Sequence, residues 1–286
     1  MRRSRGRDLA LGVAAVLANV LLVLGVVALA TGRFSQSGGT PPTATTSRPA
    51  TTGPTTASPS PSTSTSTTPA TPATPAAPAI STLLGSGRDA TLVVLGDGTG
   101  DEAGEWVSAF AEQAGDSHRV TLRGLDPNDP TQYASKEKIG AAGPTLTIWN
   151  GSRTGVTADY PAKRLDFLAP RTPDAVLLSF GRDDTASGIT AGLESTYRAV
   201  TARWPGVAVG VVLQGQDRDD AIGPVRTATR AWADSHGLPT VDVAAAFSAA
   251  GDPNTFVSVV DPPSTNAKGG RLWARTVLTA LGGVAP

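Results

Sequence analysis

Short apolar runs alternate with amphipathic stretches along the part of the chain that follows residue 80. Five of these runs are rich in Val, Leu, Ile and Ala and have the length of a buried strand. They occupy residues 90–95, 119–122, 145–149, 175–180 and 207–213. Because the apolar positions are nearly continuous, the pattern predicts parallel strands that are covered on both faces.

Helical periodicity fills the intervals between and after these runs. The stretches with apolar residues at helical spacing are 102–113, 190–203, 221–235 and 268–281. Alternation of strand and helix is typical of an α/β fold with a doubly wound sheet, here with five parallel strands. Ligands of such sheets bind at the carboxyl ends of the strands, so the loops that follow the strands are the place to look for chemistry.

The N-terminus has the pattern of a membrane segment. Residues 1–8 hold four Arg and one Asp, and residues 9–30 then continue with Asn19 as their only polar side chain. A run of this length spans the hydrocarbon core of a bilayer, and the basic flank places residues 1–8 in the cytoplasm. We therefore predict a single-pass cell-membrane protein whose domain lies outside. The alternative is a secreted protein cleaved after Ala30, since positions 28 and 30 are both Ala.

Residues 31–80 form a linker of low complexity. From residue 41 to residue 80, every residue except Arg48, Gly53 and Ile80 is Pro, Thr, Ser or Ala. Such a segment buries too little apolar surface to offset the entropy lost on ordering, and its prolines favour the extended polyproline II conformation. The sequence thus predicts a disordered stalk before one domain at 81–286.

Composition excludes several classes of function. The 24 basic and 24 acidic side chains balance, so no nucleic acid is expected as a partner. The chain has no Cys, which excludes disulfides, thiol catalysis and thiolate-bound metals, and it has only two His. The turn from Gly96 to Gly100 could cradle a phosphate, but Asp97, Asp101 and Glu102 would repel it. We predict no cofactor and no metal site.

Four segments follow strands or precede the last helix and together carry a family resemblance. They are Val94–Gly100, Asn150–Thr157, Phe180–Asp184 and Asp261–Ser264. In this order they resemble the motif blocks of the SGNH hydrolases, also called GDSL esterases and lipases, over nearly the whole of residues 88–281. The resemblance implies a flavodoxin-like three-layer sandwich and an esterase site at the strand ends.

The resemblance also implies which positions form that site. The catalytic positions are Gly98 for the nucleophile, Gly155 and Asp183 for the oxyanion hole, and Asp261 with Ser264 for the acid and base pair. Neighbouring positions in the same blocks are the candidates for binding. These are Asp97, Thr99, Asn150 and Asp184.

Three of the five catalytic positions depart from the family pattern, which has Ser, Asn and His there. Gly98 has no side-chain oxygen, so no acyl-enzyme can form at that position. Ser264 cannot take a proton at neutral pH as an imidazole does. Asp183, if ionised, opposes an oxyanion that an amide would stabilise by roughly 3 kcal/mol.

Other residues offer substitutes for the missing groups. Thr99, Ser152 and Ser264 carry hydroxyls, but a base is needed, and His118 and His236 have the context of structural residues. The strand-end loops are rich in carboxylates, at positions 97, 101, 102, 183, 184, 217, 219, 220 and 261. These could bind a divalent cation or form a pair for glycoside hydrolysis, or they could cap helices and turns.

The sequence therefore supports two main hypotheses. The first is an inactive SGNH-like domain at the bacterial cell envelope, which binds an envelope glycan or an acylated ligand. The second is an active hydrolase of acyl esters with rearranged or carboxylate residues. A metal-dependent hydrolase is the third alternative.

Overall fold

The computed structural model describes most of the domain. The described residues are 79–134, 136–216, 218–259 and 264–284. The predicted tail, membrane segment and nearly all of the linker lie outside these ranges, and so does Asp261. Within the described ranges, no helix combines the length and the apolar character needed to cross a bilayer.

A single twisted sheet forms the centre of the domain. Its strands are β1 (Ala90–Gly96), β2 (Arg119–Gly124), β3 (Glu137–Ile139), β4 (Thr145–Asn150), β5 (Ala175–Ser179), β6 (Ala208–Leu213) and β7 (Thr240–Asp242). Their order is β3-β2-β4-β1-β5-β6-β7. Every neighbouring pair is parallel except β2 and β3, which are antiparallel.

All five predicted strands are present and parallel, but the sheet is larger than the prediction of five strands. The described residues contain seven strands, because β3 and β7 extend the two edges. Each of these has only three residues, and β3 exposes Glu137 and Lys138. A run of three residues is too short to show a period in the sequence. The charged side chains of β3 also protect this edge of the sheet against pairing with another chain.

Helices cover both faces of the sheet, as the three-layer prediction requires. They are α1 (Trp106–Ala114), α2 (Leu165–Leu168), α3 (Ile189–Arg203), α4 (Gly223–Ser235), α5 (Val243–Ala249) and α6 (Ala267–Ala280). Short 3-10 turns occupy Ile80–Thr82, Tyr160–Lys163, Arg218–Asp220 and Pro253–Phe256. The four predicted helices are all present, but the first begins only at Trp106, since the residues before it form the loop that follows β1.

The two apolar layers alternate along each strand. In β1, Leu92 and Val94 face the layer that holds α1, α5 and α6, while Val93 and Leu95 face α3 and α4. Residues next to each other in a strand point to opposite faces, so one continuous apolar run serves both cores. In the first layer, the rings of Trp106 and Trp273 stack with their centroids 5.7 Å apart and join α1 to α6.

The sheet order determines where a site can form. The chain passes from β1 to β2 and β4 on one side, and then to β5, β6 and β7 on the other. β1 therefore lies at the point where the direction of winding reverses, which is where α/β sheets open a crevice for ligands. The loops after β1, β4 and β5 meet at this edge.

Candidate functional site

Asp97 directly follows β1 and is completely buried. Its carboxylate accepts hydrogen bonds from the Thr99 backbone N–H at 3.1 Å, the Thr99 hydroxyl at 2.9 Å and the Arg182 backbone N–H at 2.9 Å. The Gln214 side-chain amide, at the end of β6, lies 2.9 and 3.0 Å from its two oxygens. One carboxylate thereby joins the loops that follow β1, β5 and β6.

Burial raises the pKa of the Asp97 carboxyl, and the hydrogen bonds from Gln214, Arg182 and Thr99 act in the opposite direction by favouring the charged form. The donors are neutral amide and hydroxyl groups, so they organise the loops without placing a cation beside the carboxylate. Asp97, predicted as a binding residue, is thus turned inward as a structural acceptor.

Gly98 occupies the predicted nucleophile position, and the side chain of Thr154 covers it. A Cβ built on Gly98 would collide with the Thr154 hydroxyl and would lie 2.9 Å from the Thr154 Cα atom. Thr154 is held there by its backbone N–H, which donates to the Asp101 carboxylate at 2.6 Å. The space that a nucleophilic side chain would need at position 98 is therefore taken by the loop after β4.

The predicted oxyanion hole is occupied by a carboxylate of the same chain. Gly155 adopts a left-handed backbone conformation with φ = 75°, which glycine tolerates without strain, and its N–H donates to Asp183 at 3.2 Å. An oxyanion hole stabilises an anion through N–H donors aimed at it. Here an aspartate oxygen receives the donor that a substrate oxygen would need.

Arg182 connects the remaining predicted positions. Its Nη1 atom donates to the Gly98 carbonyl at 2.9 Å and to the Ser264 hydroxyl at 3.0 Å. Arg182 thereby joins Gly98 to Ser264, while the hydrogen bond described above joins Gly155 to Asp183 at the same edge of the sheet. A guanidinium therefore lies beside the position where the family has its base.

The Thr99 hydroxyl and the Asn150 amide proposed from sequence have structural contacts. Asn150 ends β4 and donates from its side chain to the Gly100 carbonyl at 2.6 Å, while its side-chain oxygen accepts from the Ser152 N–H. Ser152 is itself buried, and the Thr99 hydroxyl donates to Asp97. None of these three side chains reaches the surface of the cleft.

Both histidines lie at the opposite edge of the sheet. His118 is buried immediately before β2, where its Nδ1 is 2.9 Å from the Ser117 hydroxyl. His236 follows the C-terminus of α4 and lies 2.9 Å from Glu194. The hydroxyls in the cleft therefore have no imidazole beside them.

Most of the strand-end carboxylates hold loops in place. Asp101 and Asp183 accept the backbone N–H groups described above, Asp184 accepts from the Ala158 N–H at 3.1 Å, and Asp220 pairs with Arg226 at 2.5 Å. Among the described residues, no three His, Asp or Glu side chains converge in a way that could hold a metal ion. Asp217 and Asp261 lie outside the described ranges.

Two partly buried carboxyls beside the cleft have raised pKa values. Burial raises the pKa of Glu105, at the start of α1, to about 7, and the charges of Asp101 and Glu102 add to the shift. Burial also raises the pKa of Asp184 to about 6, with a further contribution from Asp97 and other nearby carboxyls. Half-buried groups of this kind are frequent in functional clefts and in structural networks alike.

Three residues that shape the cleft were not singled out from the sequence. Gln214 is the first residue after β6, so its position at a strand end was the available signal. Arg182 lies within the third motif block and Thr154 within the second, yet neither differs from an ordinary loop residue until its neighbours are known. The contacts that matter join residues 28 to 117 positions apart.

No protein-family model matches the chain, and no curated protein sequence matches it significantly. Solved structures do match. A GDSL-like lipase from Parabacteroides merdae superposes with a TM-score of 0.51 at 14% identity over 68% of this chain and 96% of that one. A two-domain esterase active on acetylated mannans gives a TM-score of 0.51 at 16% identity, covering 69% of this chain and 50% of that one.

A lipase/acylhydrolase from Enterococcus faecalis matches with a TM-score of 0.49 at 16% identity, over 66% of this chain and 93% of that one. The two structures above 0.5 are sufficient to identify the architecture. The domain has the fold of the SGNH hydrolases, and the resemblance of the four sequence blocks is confirmed at the level of the fold.

We predict that Gly98→Ala destabilises the domain by about 1–3 kcal/mol, because the new methyl group collides with Thr154. The penalty should fall by at least about 0.5 kcal/mol in a Thr154→Gly background, where the obstructing side chain is absent. Gly124→Ala is the matched control, since a Cβ there meets nothing within 4 Å, and it should stay within about 0.5 kcal/mol of the natural protein. Denaturant unfolding measures all four variants, and additive effects would contradict the contact.

The raised pKa of Glu105 predicts a pH-dependent stability. Between the usual pKa of 4.5 and about 7, the folded chain retains a proton that the unfolded chain has released, so this contribution to stability is lost as the pH rises through that interval. Glu105→Gln should therefore raise the melting temperature more at about pH 8 than at about pH 4. Glu112→Gln, at an exposed position of the same helix, is the control, and an equal effect of Glu105→Gln at both pH values would refute the prediction.

Proposed function

We propose that this protein is a membrane-anchored SGNH-like module without serine-esterase catalysis, which binds a ligand at the bacterial cell envelope. The observation that carries the proposal is the hydrogen bond from the Gly155 N–H to the Asp183 carboxylate. In an acyl-transfer enzyme this donor must be free to stabilise the negative charge that develops in the transition state. A carboxylate in its place both removes the donor and opposes the charge.

Two further contacts support the absence of esterase chemistry. Thr154 fills the space above Gly98, so the position lacks both a nucleophile and room for one. Arg182 contacts Ser264, so a guanidinium lies beside the position where the mechanism needs a neutral base that becomes charged. These three features affect the nucleophile, the base and the oxyanion hole separately, and each alone is expected to lower the rate by orders of magnitude.

The cleft retains groups suited to binding. Arg182 presents a guanidinium with several N–H donors, of which the described contacts use Nη1. Asp183, exposed in the loop after β5, supplies a carboxylate acceptor. Neighbouring donors and acceptors at a strand-end cleft suit a polyhydroxylated ligand or an acyl carbonyl, and we therefore favour an envelope glycan or an acylated glycan as the ligand.

Residues 9–30 are the proposed membrane anchor, supported by their length, their apolar composition and the basic flank at 1–8. The linker then carries the domain away from the bilayer. This arrangement keeps the cleft within reach of envelope polymers.

The alternative function is an ester hydrolase with a displaced nucleophile. One observation favours it: the Thr154 hydroxyl stands where a side chain at position 98 would begin. Its difficulty is the absence of an imidazole in the cleft, which would leave a carboxyl such as Glu105 to act as the base. Thr154→Ala separates the alternatives, since it abolishes hydrolysis only if Thr154 is the nucleophile.

We predict that the natural full-length chain hydrolyses p-nitrophenyl acetate and butyrate no faster than buffer. The variant Gly98→Ser, Thr154→Gly, Asp183→Asn, Ser264→His restores the three missing groups and the space they need, and turnover by this variant would establish the site positions. Hydrolysis by the natural protein that is lost on Thr154→Ala would contradict the proposal.

Extraction from membranes tests the anchor. Detergent, rather than high salt, is expected to release the full chain, and release by salt alone would refute the anchor.

Sedimentation tests the ligand. The purified protein is expected to co-sediment with isolated cell-wall polysaccharide. Arg182→Ala should reduce this binding, whereas Arg198→Ala, at an exposed position on α3, should not. Equal binding by both variants would show that the cleft does not recognise the polysaccharide.

A further inference from the structure

An apolar groove lies at the edge of the sheet opposite the cleft. It has a volume of about 650 Å³ and runs across the beginnings of β6 and β7. Val209 of β6 and the preceding Val207 form its floor, Leu238 and Val241 line the β7 side, and Tyr197 of α3 closes one flank. None of the described residues that line this groove carries a charge. Its size is that of a binding site for an extended segment or a small ligand.

The chain itself enters the domain through this groove. Ala79, Ile80 and Ser81 form part of its wall. Ile80 is buried, and its Cδ1 lies 2.7 Å from where a Cβ on Gly210 would be, so the absence of a side chain at Gly210 creates the socket for Ile80. The entry is further fixed by the Leu84 N–H, which donates to the Leu281 carbonyl at 2.9 Å. Ala79, the first described residue, therefore lies in the wall of the groove.

The residues that precede Ala79 have a regular pattern. Residues 70–78 read Ala-Thr-Pro-Ala-Thr-Pro-Ala-Ala-Pro and carry no charge. Pro72, Pro75 and Pro78 recur every third position, whereas the prolines from 41 to 61 are irregularly spaced. A polyproline II helix has three residues per turn, so this spacing would align the three rings along one edge.

We propose that residues 70–78 bind in this groove as a polyproline II segment, with the edge formed by Pro72, Pro75 and Pro78 against the apolar floor. Nine residues at about 3.1 Å each are long enough to cross two strands about 4.8 Å apart. Prolines lose little conformational freedom on ordering, and the covalent connection at Ala79 keeps the segment at a high local concentration. Aromatic and aliphatic grooves of this kind bind proline-rich segments in other proteins.

Disulfide trapping in the full-length chain tests this proposal, because the natural sequence contains no Cys and supplies no background thiol. The test pair is Pro75→Cys with Thr201→Cys, since Thr201 lines the groove. The control pair is Pro75→Cys with Ser86→Cys, since Ser86 is exposed and near the entry of the chain but outside the groove. Mild oxidation followed by mass spectrometry of the denatured chain measures the rate of each crosslink.

The test pair is expected to crosslink at least about tenfold faster than the control pair, because docking raises the effective concentration at Thr201 only. Adding Pro72→Ser and Pro78→Ser should reduce the rate of the test pair to that of the control. Equal rates for the two pairs, or a test rate unaffected by the two serine changes, would overturn the proposal. Thr201→Cys alone should leave the melting temperature unchanged. A low crosslinking rate of the test pair then cannot be explained by unfolding of the domain.

Discussion

The carboxylate of Asp97 is the interaction on which the strand-end edge depends. It is buried at the end of the central strand and receives donors from the loops that follow β1, β5 and β6. A buried carboxylate without such donors would cost several kcal/mol, so each of the three loops is held in the one arrangement that satisfies it. The positions of Arg182 and, through it, of the contact with Ser264 follow from this arrangement.

The acidic residues around the cleft share one role. Asp101 fixes the backbone of Thr154, Asp183 that of Gly155, and Asp184 that of Ala158, so the loop after β4 is held by three carboxylates. In a hydrolase, backbone N–H groups of this loop must be left for the substrate. The same side chains that suggested a cation site from the sequence are acceptors for their own backbone here.

Much of the fold could be predicted because its signals are local. The five long strands and four long helices show their periods within single windows, and the motif blocks come in chain order, three after strands and one before the last helix. The edge strands β3 and β7 could not be found in this way, since three residues carry no period. The cleft was the least predictable part, because the contact of Thr154 with Gly98 depends on the relative height of two loops that are 56 positions apart.

The three substituted positions are readable from the sequence, but their consequences are geometric. The sequence shows only that position 98 lacks a hydroxyl. The structure shows in addition that the Thr154 side chain fills the space beside Gly98. Asp183 by itself states that an amide is absent, whereas the structure adds that the oxyanion donor is engaged. The filled space and the engaged N–H group therefore support the prediction that the natural protein does not catalyse acyl transfer.

Reaction of the full-length protein with a fluorophosphonate, followed by measurement of the intact mass, shows whether any hydroxyl of the cleft is activated for acyl transfer. A serine or threonine hydroxyl that is activated for acyl transfer is phosphonylated in stoichiometric amount, whereas an unactivated hydroxyl is not. We expect an unchanged mass for the natural protein and a single adduct for the variant Gly98→Ser, Thr154→Gly, Asp183→Asn, Ser264→His. A stoichiometric adduct on the natural protein, mapped to any residue of the cleft, would contradict the proposed absence of serine-esterase catalysis.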